Sequence, residues 1–283
     1  MVKLIECPRD AMQGLHDFIP TATKAKYINQ LLKVGFDTID FGSFVSPKAI
    51  PQLKDTAEVL NQLNLSSTKS KLLSIVANQR GAVDACNFEE INYLGFPFSI
   101  SETFQQRNTN SSIDESLIRV ADIQNLCIQH NKKLVVYISM AFGNPYGDLW
   151  NSDIVIEWTK KLSDLGVEII ALSDTTGVSN PENISYLFKN TIPEFKNIEI
   201  GAHLHTTPDT WLEKVNAAYN NGCLRFDGTI KGFGGCPMAT DDLTGNMATE
   251  NLIQYFSQNK IKLGLNQTEF NQSMIGALKI FPI

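Results

Sequence analysis

The stretch Val155-Ile156-Glu157-Trp158-Thr159-Lys160-Lys161-Leu162-Ser163-Asp164-Leu165-Gly166 runs directly into Val167-Glu168-Ile169-Ile170-Ala171-Leu172-Ser173-Asp174-Thr175-Thr176-Gly177. In its first half Val155, Trp158, Leu162 and Leu165 recur at steps of three and four, the apolar stripe of an amphipathic helix, and Gly166 is a natural stop. The second half is a short apolar run closed by polar turn residues, the signature of a buried strand. The same unit recurs along the chain. Strands are expected to begin near Lys3, Asp37, Lys71, Glu89, Lys133, Val167, Asn197 and Leu224, each followed by turn residues and a helical pattern. Ile50, Leu53, Ala57 and Leu60 mark the second helix, and Trp211, Val215 and Ala218 the seventh, which ends at Gly222. Eight strand–helix units in about 240 residues predict parallel pairing, right-handed crossovers and an α/β fold of the (β/α)8 TIM-barrel type. A doubly wound open sheet fits less well, because nothing after the first strand resembles the glycine fingerprint of dinucleotide sites.

No linker-like tract interrupts this pattern, so residues 1–283 read as one catalytic barrel domain. The segment from about residue 247 to residue 283 is expected to form a short C-terminal helical extension on or beside the barrel. A formal charge of −6 without a long basic cluster argues against nucleic acid as a partner. Five widely spaced cysteines, with no Cys-x-x-Cys pair, read as reduced thiols in a cytoplasmic setting. No apolar run is long enough to span a bilayer, and the start of the chain already looks like a strand, so neither membrane nor leader sequence is expected.

A barrel of this kind collects its chemistry at the C-terminal ends of its strands. Strand one ends in Cys7-Pro8-Arg9-Asp10, strand two in Asp40-Phe41-Gly42-Ser43, strand six in Ser173-Asp174-Thr175-Thr176-Gly177, and the loop after strand eight carries Gly234-Gly235-Cys236-Pro237. Strand seven ends in Ile198-Glu199-Ile200-Gly201-Ala202-His203-Leu204-His205, which holds two of the four histidines. Side chains two apart on a strand share a face, so both imidazoles point one way, as metal ligands do. Packed or hydrogen-bonded histidines at a polar strand end are the other reading, and the spacing alone leaves the two level.

Asp10 is the natural third ligand, and two imidazoles with one carboxylate leave a divalent ion a residual charge of about +1 for a substrate oxyanion. Zinc favours such nitrogen ligands, while carboxylate, carboxamide and water ligation favour magnesium or manganese. Arg9 is open to a structural role as the partner of a carboxylate, but beside Asp10 it reads rather as a fixed cation for developing negative charge. Asp40 and Asp174 read as helix caps or turn formers, with Asp174 an equal candidate for the site. Cys236 is either a small buried hydrophobe or a thiol that exchanges protons with substrate. Glycines 232, 234, 235 and 245 suggest a mobile cover or simply tight turns. His16 lies in the first loop near the site, whereas His130 reads as a surface residue at a helix end.

Four segments together carry a resemblance: Glu6-Cys7-Pro8-Arg9-Asp10-Ala11-Met12-Gln13; Ser43-Phe44-Val45-Ser46-Pro47-Lys48 with Pro51-Gln52; the pair His203 and His205; and Gly232-Phe233-Gly234-Gly235-Cys236-Pro237 followed by Gly245-Asn246-Met247-Ala248-Thr249-Glu250. In order and over nearly the whole chain, they resemble the 3-hydroxy-3-methylglutaryl-CoA lyases. The resemblance implies a metal-dependent barrel that splits hydroxymethylglutaryl-CoA into acetyl-CoA and acetoacetate by a retro-Claisen step. It implies Asp10, His203, His205 and Asn246 as ligands of a divalent ion, Mg2+ or Mn2+ before Zn2+. It also implies Cys236 as the catalytic thiol assisted by His203, Arg9 as the enolate-stabilising cation, and Asp40 as a further catalytic carboxylate. Arg9, Gln13, Ser43 and Asp174 would face the acyl-CoA, and a homodimer acting in leucine breakdown is the accompanying expectation.

Three departures stand against the family pattern. Asp40 replaces a glutamate, Thr206-Thr207-Pro208 replaces an aspartate and a Thr-Tyr-Gly turn, and Gly14-Leu15-His16 replaces Asn-Glu-Lys. These leave two other readings: a related barrel that condenses acetyl-CoA with a 2-oxo acid or cleaves a different 3-hydroxyacyl-CoA, and a non-catalytic homologue with a binding role.

Overall fold

A computed structural model describes residues 1–235 and 244–281 of the chain. Eight parallel strands close into a barrel in sequence order: β1 (Lys3–Glu6), β2 (Thr38–Ser43), β3 (Lys71–Ile75), β4 (Ile91–Ser99), β5 (Lys133–Ser139), β6 (Ile169–Ser173), β7 (Glu199–His203) and β8 (Arg225–Gly228). The barrel closes where Lys3 pairs with Arg225 and Glu6 with Gly228. The helices after the first four strands are α1 (Pro8–Gln13), α2 (Thr21–Leu31), α3 (Thr56–Leu60), α4 (Gln79–Cys86), α5 (Glu102–Thr109) and α6 (Ile113–Gln129). Those after the later strands are α7 (Ser152–Asp164), α8 (Pro181–Glu194), α9 (Trp211–Asn220), α10 (Thr249–Gln258) and α11 (Gln267–Ile280).

The opening stretch behaves as its periodicity requires. Asn151 caps α7 by accepting from the Ile154 amide, Val155 and Leu162 are fully buried, and Gly166 takes the left-handed φ of +84° that ends the helix. Several strands begin one or two residues later than the apolar runs suggest, since the first residues of each run belong to the incoming turn. The helix expected from Ile50 to Leu60 is broken into a 3-10 turn at Pro51–Leu53 and the short α3. Thr56 accounts for the break: its hydroxyl donates to the Leu53 carbonyl and accepts from the Ser43 amide, tying the helix start to the end of β2.

The inner layer of the barrel is not uniform. From β3 to β6 it is apolar, built from Leu73, Ile75, Tyr93, Val135, Tyr137, Ile169 and Ala171. On β7 and β8 the inward positions are Glu199, Gly201 and His203 beside Arg225 and Asp227, and all three charged side chains are paired. Gly201 is required here because a Cβ would meet the Arg225 stem at 2.9 Å. The last two helices pack on the outside: Phe256 of α10 meets Phe226 edge-on, and Phe270 of α11 does the same with Phe36. Among the described residues no helix is long and apolar enough to cross a membrane.

Candidate active site

The mouth is assembled by the ends of β1, β7 and β8. β1 ends at Glu6, and Pro8 opens α1 at once, which lifts Arg9 and Asp10 over the C-terminal rim. Strand β7 ends at His203, so His205 lies beyond the regular ladder and is held by an isolated antiparallel bridge to Asn246. The amide of Thr206 donates to the Gly245 carbonyl, and that of Met247 to the Leu204 carbonyl. Residues 245–247 are thereby laid across the end of β7, and Asn246 arrives beside the histidines. Gly234 makes the crossing possible: its φ is +89°, and a Cβ would sit 2.7 Å from the Asp10 carbonyl and 3.0 Å from Asn246 Nδ2. Close backbone approach is thus a role for Gly234 beyond the mobile cover or tight turns that the glycines of this segment suggest.

Asp10 is the hub. Its Oδ1 accepts from Arg9 Nη1 at 3.0 Å and Gln13 Nε2 at 2.7 Å, and its Oδ2 accepts from Asn246 Nδ2 at 2.8 Å. His203 Nε2 stands 3.9 Å from the same Oδ2, and the His203 and His205 ring centroids are 5.7 Å apart. Burial alone would raise the Asp10 carboxyl, but the Arg9 guanidinium, the two histidines and the Asn246 hydrogen bond outweigh it and hold it below the usual range. Burial alone would lower His203. The hydrogen bond and charge of Asp227, with Asp10, more than offset this and leave its proton affinity above that of a free imidazole. His205 is pushed down to about 4 by burial and the neighbouring His203.

Arg9 commits four of its five N–H groups within this cluster: Nε and Nη2 to Asp40 Oδ2, and Nη1 to both Asp10 and Gln13. Asp40 accepts both donors on one oxygen, which leaves the buried Oδ1 without a partner among the described residues. Burial pushes the Asp40 carboxyl up to about 6 despite Arg9.

Thus Arg9, Asp10, Gln13, Asp40, His203, His205 and Asn246 converge. Ser43 and Asp174 make hydrogen bonds outside this cluster. The Ser43 hydroxyl donates to the Ile75 carbonyl and accepts from the Val45 amide. Asp174 accepts from the Ser179 amide and hydroxyl and from Lys214 Nζ at 2.8 Å, so its carboxylate anchors the loop after β6, as a turn former does. Cys236 lies outside the described residues.

Three residues that matter here were not singled out from sequence. Asp227 hydrogen-bonds His203 Nδ1 at 3.1 Å, and its spacing from Arg225 along β8 was the available signal. Tyr137 packs edge-on against His203, with a buried hydroxyl that has no partner among the described residues. Lys214 is buried on α9 and donates to Asp174, the Gly177 carbonyl and the His205 carbonyl. An interior lysine in a helix offers no local signal that its amine turns inward.

Among the described residues, no group of three or more His, Cys, Asp and Glu side chains is gathered tightly enough to hold an ion as it stands. The donor set nonetheless suits a divalent cation: one carboxylate, two imidazoles and the Asn246 carboxamide. His205 is buried and neutral above about pH 4, the protonation state a metal requires. The 3.9 Å between His203 Nε2 and Asp10 Oδ2 lies within the ~4.2 Å that two ligands, each about 2.1 Å from one ion, can span.

The sequence matches the HMGL-like family over residues 2–274. The chain belongs to that family. It is 33% identical to hydroxymethylglutaryl-CoA lyase YngG of Bacillus subtilis over 255 residues, covering 90% of this chain and 84% of the relative. It is equally 33% identical to the mitochondrial hydroxymethylglutaryl-CoA lyase of Bos taurus over 268 residues, covering 94% of this chain and 81% of the relative. The HMG-CoA lyase of Acinetobacter baumannii, solved with coenzyme A and 3-methylmalate, superposes with a TM-score of 0.91 at 29% identity, covering 99% of this chain and 91% of that one. The resemblance carried by the four sequence segments is therefore a family relationship that spans the HMGL-like barrel from β1 into α11.

Proposed function

We propose that this protein is a divalent-metal-dependent carbon–carbon lyase that cleaves 3-hydroxy-3-methylglutaryl-CoA to acetyl-CoA and acetoacetate. Family membership sets the reaction class, and the meeting of Arg9, Asp10, His203, His205 and Asn246 at one point of the barrel mouth is the observation that carries the reading. Asp10, His203, His205 and Asn246 are the residues that would hold the ion, Mg2+ or Mn2+ by donor type with Zn2+ also compatible. An ion held there would supply Lewis-acid activation of the tertiary hydroxyl of the substrate.

The chain's own groups supply the rest. The hydroxyl proton leaves, the bond between the second and third carbons breaks, and the electron pair moves onto the thioester as an enolate, while the third carbon becomes the ketone of acetoacetate. Arg9, held rigid by Asp40, Asp10 and Gln13, keeps one Nη2 N–H uncommitted among the described residues, a donor for the enolate oxygen. Asp40, with a proton affinity near pH 6 and an unpartnered oxygen, is the group suited to accepting the hydroxyl proton. Cys236 then protonates the enolate carbon, with His203 assisting, to give acetyl-CoA. The whole chain would act as one catalytic domain, in the cytoplasm, as a homodimer, in leucine breakdown.

A panel of 3-hydroxyacyl-CoA thioesters, and acetyl-CoA with 2-oxo acids, tests this on purified metal-loaded protein. Equimolar acetyl-CoA and acetoacetate from hydroxymethylglutaryl-CoA is the expected result. Turnover only in the condensing direction, or none on any thioester, contradicts the reading.

A further inference from the structure

We propose that Asp227 is a positioning residue that fixes the tautomer and ring angle of His203, so that the His203 Nε2 lone pair faces the ion site. The inference rests on the metal-site reading above and deepens it. Its starting point is register: β7 and β8 pair with Gly201 opposite Arg225 and Ala202 opposite Phe226, so the next step puts His203 opposite Asp227. Asp227 Oδ2 lies 3.1 Å from Nδ1 of His203, and the carboxylate is buried.

An ionised carboxylate has no proton to give, so the Nδ1 of a neutral ring must be the donor. Nε2 is then left bare, 3.9 Å from Asp10 Oδ2, on the side of the ring away from Asp227. Asp227 Oδ1 has no hydrogen-bond partner among the described residues. The cation nearest to it along the strand is Arg225, two residues back on the same face of β8, which is tied to Glu199 at 3.2 Å and feels the Asp227 charge. Gly201 leaves the room in which the Arg225 stem lies. The result is an inward column, Glu199–Arg225–Asp227–His203, that runs up the barrel wall and ends at the ion site. Tyr137, edge-on to the imidazole with ring centroids 5.6 Å apart, braces the ring from the β5 side.

Two measurements test this without substrate. In metal-free protein with 15N-labelled histidine, assigned through His203→Gln, the neutral His203 ring should carry its proton on Nδ1. In Asp227→Ala the neutral ring should shift towards the Nε2-protonated form, and Mn2+ affinity should fall about 10- to 100-fold. An Nε2-protonated ring in the native protein overturns the proposal, and that result stands even where the variant does not fold. A folded Asp227→Ala variant with unchanged tautomer and unchanged Mn2+ affinity also overturns it. A protein with the expected tautomer that shows no turnover on hydroxymethylglutaryl-CoA breaks the lyase reading and leaves this one intact.

Discussion

The two halves of the barrel interior are built on opposite rules. From β3 to β6 the inner layer is hydrocarbon and phenol, with Leu73, Val135 and Ala171 fully buried. Around β7, β8 and β1 it is a column of charged groups, Glu199 tied to Arg225 and Asp227 to His203, ending in Asp10 and the histidines. The difference separates tasks. The apolar half holds the barrel's shape and keeps water out, while the polar half converts strand register into the fixed placement of chemical groups. A mutation in the first half should therefore cost stability before chemistry, and one in the second half the reverse.

The largest effect that would sharpen this contrast is loss of the hub. Asp10→Ala removes the one carboxylate in the inferred ligand set, and turnover should fall by ~10³-fold or more, the several kcal/mol of a lost Lewis acid. A far-UV spectrum and melting curve close to the native ones should accompany it. An equal collapse of both would break the division.

Lys214→Met tests the border between the halves. It strips the amine from Asp174 and from the His205 and Gly177 carbonyls, and leaving a buried carboxylate unpaired costs about 3–5 kcal/mol in denaturant unfolding. Leu73→Ala, in the apolar half, should cost about 2–5 kcal/mol with the catalytic rate of the folded fraction little changed. Acid is the gentlest probe. The buried His205 resists protonation down to about 4, whereas the unfolded chain takes up that proton near 6.5. The unfolded state therefore binds more protons at this site in that window, so the contribution of His205 to stability is lost as pH falls from about 6.5 to about 4, while the raised Asp40 carboxyl contributes with the opposite sign. In pH-dependent urea melts the stability of His205→Gln relative to the native protein should therefore rise as pH falls from about 6.5 to about 4.

Much of this plan was legible in the chain because it is written locally. Helix stripes and apolar runs gave eight units, and the two-residue step from His203 to His205 gave a shared direction. Arg9 and Asp10 were visible as the end of β1. What escaped was written between strands: Asp227 matters only because β8 lies in register with β7, and Lys214 only because α9 packs beneath two loops. Ser43 and Asp174 sit at the expected strand ends, where neighbouring backbone and side-chain groups also hydrogen-bond them. The helix over Ile50–Leu60 had the right stripe, yet the tie between Thr56 and Ser43 shortens it.

The most direct test of the central claim is turnover of hydroxymethylglutaryl-CoA by chelator-stripped protein before and after Mg2+ or Mn2+ is restored. The polar half predicts no cleavage in the stripped protein and stoichiometric acetyl-CoA and acetoacetate once the ion returns. Equal cleavage with and without metal, or no cleavage by protein shown to have bound the ion, would contradict it.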